Sequence, residues 1–175
     1  LSSAASDVYK RQVLDMCAAP GGKSTDAVAS LPVGSLIVSN EVIPNRAHIL
    51  AENIVKWGSP YCIVTRNEAS AFGALEEYFD IIAADVPCSG EGMFRKDPAA
   101  ITEWSVANVA HCAERQRAIL TDVWNALRPG GLFIYSTCTY NTEENEEMIG
   151  FLRKKFGAIP LTVDIDPAWK ITPAL

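Results

Sequence analysis

The chain has 175 residues, 49% of them hydrophobic and 21% charged, with a net charge of −6. That describes one globular domain with enough chain for a sizeable core, and the charge has the wrong sign for a domain that grips nucleic acid unaided. No apolar run is long enough to span a membrane, the start lacks a signal-peptide layout, and five Cys without a Cys-x-x-Cys beside only two His argue against a zinc site or a disulfide framework and for a reducing, cytoplasmic compartment.

Residues 1–12 are polar, Ser- and Ala-rich and aperiodic. They resemble a translated cloning adaptor, so a non-native or disordered leader is expected there and a core over residues 13–175. Val13–Met16 is a short apolar run with one acid, Asp15, and reads as a buried strand. The small residues Cys17–Gly22 follow and let backbone approach a ligand, and from Lys23 the chain can be helical. Strand, tight turn and helix make the first βα unit of a doubly wound sheet that binds a nucleotide-like cofactor. Gly21-Gly22-Lys23-Ser24 also looks like the tail of a phosphate-gripping loop, but Cys17 stands where that loop requires Gly.

Leu36–Ser39 is the second predicted strand. Pro44 suits the first turn of a helix running to Trp57 and stopped by Gly58, with Ala47, Leu50, Ala51 and Ile54 on its apolar stripe. Tyr61–Thr65 is a third strand, Ser70–Tyr78 a short amphipathic segment and Asp80–Asp85 a fourth strand. Ser105 can cap a long helix with Val109, Ala113, Gln116, Leu120, Val123 and Leu127 on one face, ended by Arg128-Pro129-Gly130-Gly131. Leu132–Ser136 is a fifth strand, and Asn141 with Glu144 has capping-box spacing. The next helix is acidic at its start (Glu143, Glu144, Glu146, Glu147) and basic at its end (Arg153, Lys154, Lys155), and Ile159–Val163 reads as a sixth strand. The alternation predicts an α/β fold, a mostly parallel sheet covered on both faces.

In such a sheet ligands sit at the carboxyl ends of the strands. Glu41 follows the glycine pair by about the 20 residues expected of an acid that bonds a ribose hydroxyl. Two strand ends carry a cysteine in polar company, Asp85-Val-Pro-Cys88-Ser-Gly and Ser136-Thr-Cys138-Thr-Tyr. Cys62 and Cys112 instead read as small buried hydrophobes. Two thiols and a carboxylate beside a cofactor pocket suggest covalent catalysis. Arg95 and Lys96 are candidate phosphate contacts, His48 and His111 lie on predicted helices without a chemical role, and the four Trp read mainly as packing.

Cys17–Lys23 (CAAPGGK), Asp85–Gly92 (DVPCSGEG) with Phe94–Pro98 (FRKDP), and Tyr135–Asn141 (YSTCTYN) resemble the motifs of the RNA cytosine-5 methyltransferases, above all the bacterial enzymes that modify small-subunit ribosomal RNA. The resemblance runs from Val13 to about Phe156. It implies the Rossmann-like fold that binds S-adenosylmethionine, with Cys17, Ala18, Ala19, Pro20, Gly21, Gly22 and Lys23 around the methionine and ribose, Glu41 on the ribose hydroxyls, and Glu68 or its neighbour Asn67 on the adenine side. It implies Cys138 as the nucleophile toward carbon 6, Cys88 as the thiol that assists release, Asp85 between cofactor and base, and Lys23 orienting the base. It further implies RNA as partner, ribosomal before transfer RNA, with no metal, no membrane and a monomeric intact parent. The family carries an RNA-binding segment before the first motif and a last strand of seven that this sequence lacks, so a catalytic-core fragment is expected. Three rivals are weighed beside it: a DNA cytosine-5 methyltransferase, whose nucleophile would be Cys88, a P-loop nucleotidase, and a non-catalytic RNA-binding module.

Overall fold

The computed structural model describes residues 10–171, and the expected leader over 1–12 lies outside them except at its last three residues. These residues form two compact units. The first takes the chain up to Val86 together with Ile119–Ser136, and the second takes Pro87–Ala118 and the residues from Thr137 on.

The first unit holds a five-stranded parallel sheet of β1 (Gln12–Asp15), β2 (Leu36–Asn40), β3 (Cys62–Thr65), β4 (Phe79–Asp85) and β5 (Leu127–Ser136) in the order β3-β2-β1-β4-β5. β1 opens at Gln12, inside the stretch read as leader, and the Gln12 amide donates to Asp80 Oδ2 at 2.6 Å. Val13–Asp15 pair with Ile37–Ser39 on one side and Ile81–Ala83 on the other. The apolar run predicted this, because a strand buried on both faces reads as continuous rather than alternating. Leu14, Ile37 and Ile82 are almost wholly buried, each contributing roughly 1.5–3 kcal/mol of hydrophobic stabilisation.

Helix α1 (Gly22–Ser30) follows β1, and α2 (Pro44–Trp57) follows β2. Pro44 stands in the first turn of α2, Gly58 ends it, and Ala47, Leu50 and Ile54 are its buried residues, while Ala51 is half-buried. The predicted segment at Ser70–Tyr78 contracts to a 3-10 turn over Ala69–Ala74. The strand order reverses between β1 and β4, which is where a doubly wound sheet opens a crevice for ligand.

The expected stop at Arg128–Gly131 is corrected. The long helix that follows Ser105 ends at Trp124, Leu127 already belongs to β5, and Arg128–Gly131 bulge out of the ladder, so that Phe79 pairs Leu127 while Ile81 pairs Leu132. Arg128 then reaches the carboxylate of Asp80. Trp124 stacks on Phe133 at 5.5 Å between ring centroids.

The second unit contains a 3-10 turn (Glu91–Met93), a short helix α3 (Pro98–Glu103) capped by Asp97, the first part of α4 (Val106–Trp124), and α5 (Glu146–Phe156). The Ser105 cap is present, its Oγ accepting from Asn108 N–H at 3.1 Å. α5 begins at Glu146, after the acids Glu143 and Glu144, and Glu144 is turned fully inward. The expected sixth strand is absent among the described residues. Ile159, Leu161 and Val163 keep the alternation of a strand but are 83%, 71% and 73% exposed, with no ladder partner.

Candidate active site

At the carboxyl end of β1 the chain turns through Cys17–Gly21 and starts α1. Gly21 stands at φ +111°, and a Cβ there would meet Leu50 Cδ1 at 3.1 Å. Only glycine combines that backbone with that approach to α2. Ala18 packs on Leu50 and Ile54, and its N–H donates to Asn40 O at 2.8 Å. Arg46 Nη2 donates to Ala19 O at 3.1 Å and Asn53 Nδ2 to Pro20 O at 2.8 Å, so α2 pins the turn from the side.

Glu41 is 2% exposed, the opposite of a solvated strand-end acid. Its Oε1 accepts from Ile43 N–H at 3.1 Å, and its Oε2 lies 3.4 Å from Arg46 Nη2 yet takes no hydrogen bond. Asp15, 3% exposed, accepts from Ser24 Oγ at 2.6 Å through Oδ2, whereas its buried Oδ1 has no hydrogen-bond partner. Burial pushes the Asp15 carboxyl up, against the pull of Ser24 and Lys23. Buried carboxylate oxygens without donors are costly, and the hydroxyls and ammonium of a nucleoside amino acid are the donors such a pair would take.

Burial, then the charges of Glu41 and Asp15, push the Cys17 thiol up to about 12. Cys17 is therefore inert as a nucleophile at neutral pH. Lys23 Nζ stands 2.6 Å from Asp85 Oδ2, and Ser136 Oγ donates to Asp85 Oδ1 at 2.9 Å. Lys23 thus turns to a carboxylate at the end of β4. Asn40, which sequence reasoning passed over, holds the loop after β3: its Oδ1 accepts from Asn67 N–H at 2.9 Å and its Nδ2 donates to Asn67 O at 2.9 Å. The Glu68 side chain beside it is exposed.

In the second unit Cys88 Sγ and Cys138 Sγ are 3.0 Å apart, and Cys138 N–H donates to Cys88 Sγ at 3.3 Å. Cys138 is exposed and Cys88 half-buried. Burial, then the hydrogen bond with Cys138, push the Cys88 thiol up to about 12. The two loops touch closely. Gly92 N–H donates to Cys138 O at 2.8 Å, and a Cβ on Gly92 would come within 2.7 Å of that oxygen. Glu91 accepts from Tyr140 N–H at 2.7 Å and from Trp104 Nε1 at 3.0 Å. Partial burial pushes the Glu91 carboxyl up, but these donors with Thr139 and Asn141 outweigh it and hold it below the ordinary range. Arg95 and Lys96 are exposed just past this turn.

A family model described as 16S rRNA methyltransferase RsmB/F matches residues 6–164. The chain belongs to the RsmB/F family. It is 44% identical over 145 residues to ribosomal RNA small subunit methyltransferase F of Pectobacterium carotovorum subsp. carotovorum, a match covering 82% of this chain and 30% of that relative. Among solved structures it resembles PH0851, with a TM-score of 0.82 and 26% identity over 93% of this chain and 39% of that one. It also resembles NSun6 from Pyrococcus horikoshii, solved with SFG, with a TM-score of 0.74 and 30% identity over 86% of this chain and 39% of that one. The chain therefore spans about a third of the length of the proteins it matches, and its fold is the Rossmann-like α/β fold of methyltransferases.

Within this RsmB/F chain, sequence reasoning singled out the turn, Glu41, Asp85 and both thiols as candidates, but it passed over polar groups that contact them. Asn40 and Arg46 carry no motif signal. Gln116 did carry one, a lone amide on an otherwise apolar helix stripe. The Trp reading needs correction: Trp104 and Trp124 are engaged as described, but Trp57 is 54% and Trp169 69% exposed. His48 is exposed and lies 3.4 Å from Glu52, and His111 is exposed and lies 3.1 Å from Arg115. Among the described residues no group of three or more His, Cys, Asp or Glu is placed to hold a metal, and no helix is long and apolar enough to cross a membrane.

Proposed function

We propose that this RsmB/F chain carries the core of an enzyme that methylates carbon 5 of a cytosine in ribosomal RNA. The thiol pair Cys88–Cys138, with sulfurs 3.0 Å apart, is the observation that carries the reading. Bound S-adenosylmethionine supplies the methyl group as a sulfonium. Glu41 and Asp15 fit it because each buries a carboxylate oxygen that lacks a hydrogen bond. The small-residue turn from Cys17 to Gly22 leaves its backbone free of bulky side chains for close approach.

Carbon 5 of cytosine is a weak nucleophile. Cys138, as thiolate, forms a bond to carbon 6 and moves the ring electrons onto carbon 5, which then takes the methyl group. Asp85 bonds the base edge and supports protonation of its ring nitrogen, and Lys23 shares that task through its ion pair with Asp85. In the second half a base removes the carbon 5 proton, the carbon 5–carbon 6 double bond re-forms and the bond from carbon 6 to Cys138 breaks. Burial pushes the Cys88 thiol up, so that it can donate a hydrogen bond to the departing Cys138 thiolate. Cys138 is exposed and Cys88 half-buried, which favours Cys138 over Cys88 as the attacking group. A base must leave its stack to be reached in this way, and Arg95 and Lys96 are the candidate phosphate contacts.

The test is transfer of labelled methyl from S-adenosylmethionine to ribosomal RNA, transfer RNA and DNA substrates by the protein that carries this chain, with the product base identified. 5-Methylcytosine in ribosomal RNA is expected. Methylation of DNA alone, or at another base, overturns the reading.

A further inference from the structure

Glu144 is fully buried. Its Oε2 accepts from Ser89 N–H at 3.0 Å and from Gln116 Nε2 at 2.7 Å, and its Oε1 accepts from Asn141 Nδ2 at 2.9 Å. Ser89 directly follows Cys88, and Asn141 lies three residues past Cys138. Gln116 Nε2 also donates to Pro87 O at 2.9 Å, so Cys88 is held through the residue before it and the residue after it. Ser89 Oγ and Thr139 Oγ1, 2.9 Å apart, tie the residues that follow each cysteine. A buried carboxylate is costly unless several donors meet it, and such a site has a narrow choice of geometry. Ser89, Gln116 and Asn141 come from the two cysteine loops and the helix between them in sequence.

We propose that Glu144, with Gln116 as its partner, is the positioning residue that sets the spacing of the Cys88 and Cys138 sulfurs. The inference rests on the thiol-pair reading of function, and it can be tested without methyl transfer. A carboxylate presents acceptors on both oxygens, whereas an amide of the same shape presents one acceptor and one donor. Glu144→Gln would turn an N–H against at least one of the donors now facing it and push the loops apart.

The experiment uses the rate at which diamide joins the two thiols. Each Cys gives up one electron and one proton, diamide is reduced to its hydrazine, and the Cys88–Cys138 disulfide is counted by mass spectrometry of the linked peptide. The rate reads sulfur proximity in the folded protein. Glu144→Gln is expected to slow coupling at least fivefold while circular dichroism and cooperative unfolding persist. Glu144→Asp, which keeps the charge, should recover part of the rate. Slowing of less than fivefold in folded Glu144→Gln overturns the proposal, since a residue that only stabilises the fold would leave native-state coupling unchanged. If Glu144→Gln does not fold, Gln116→Met decides by the same threshold, because it removes one donor and the hold on Pro87. In the methyltransferase assay the same variants should lower kcat and leave the KM for S-adenosylmethionine within twofold. Lost coupling in a protein that methylates no RNA would sink the function and leave the positioning role standing.

Discussion

The sulfurs of Cys88 and Cys138 lie 3.0 Å apart on two different loops, and the backbone amide of Cys138 points at the sulfur of Cys88. One thiol, Cys138, is exposed, and the other, Cys88, is half-buried and pushed up by that burial. If the exposed one attacks, Cys138→Ala should abolish both methyl transfer and any covalent RNA complex. Cys88→Ala should still attack and methylate but stall with RNA attached, giving a slow band on a denaturing gel that the double variant lacks. A band retained in Cys138→Ala and lost in Cys88→Ala would reverse the roles.

Glu41 should carry much of the cofactor affinity. Removing a charge-assisted hydrogen bond to a ribose hydroxyl costs roughly 1.5–3 kcal/mol, about ten- to a hundredfold in affinity. Calorimetry of Glu41→Ala with S-adenosylmethionine checks this, with circular dichroism as the control for folding. Equal binding by both proteins would take Glu41 out of the site.

The raised Cys17 thiol makes stability fall at alkaline pH. In the unfolded chain a thiol ionises near 8.5, in the fold Cys17 holds its proton to about 12, and stability therefore drops as pH climbs between those two values. Below that window both states are protonated and the contribution is whole. Cys17→Ala should show a shallower decline of Tm between pH 9 and 11 than wild type. Native protein at pH 8 should take up iodoacetamide at Cys138 well before Cys17.

The alternating row Ile159, Leu161, Val163 and Ile165 is exposed, and β5 lies at the edge of the five-stranded sheet with Leu132 39% and Ile134 47% exposed. Open edges and exposed apolar strands recruit further strands. Residues 10–171 alone should self-associate in a concentration-dependent way by light scattering, and Leu161→Lys with Val163→Lys should reduce it. A monodisperse monomer at high concentration in wild type would show that these stretches do not drive association.

The strands were legible in part because β1 is buried on both faces, which leaves the run Val13–Met16 with no other comfortable conformation. The turn was legible because close backbone approach demands small residues in a row. Three features were not. Arg128–Gly131 has the composition of a helix stop, and only the pairing with Phe79 and Ile81 shows it as a bulge. Ile159–Val163 has strand periodicity, but a strand exists only with a neighbour. Asn141 and Glu144 have the spacing of a capping box and do make one of its bonds, Glu144 N–H to Asn141 Oδ1 at 2.9 Å. The Glu144 side chain then goes to Ser89, Gln116 and Asn141, and no local pattern encodes that.

Strand β4 carries a carboxylate at its second residue and another at its last, and the two have different employment. Asp80 is 7% exposed, takes the Gln12 amide, and is flanked by the guanidinium groups of Arg11 and Arg128. Asp85, five residues on, is more open and faces Lys23 and Ser136. A seven-residue strand thereby keeps its mechanical anchorage at one end and its proposed chemistry at the other. Drift at Asp80 would be felt as altered folding yield, and drift at Asp85 as altered reactivity, so the two ends of β4 can evolve under separate pressures.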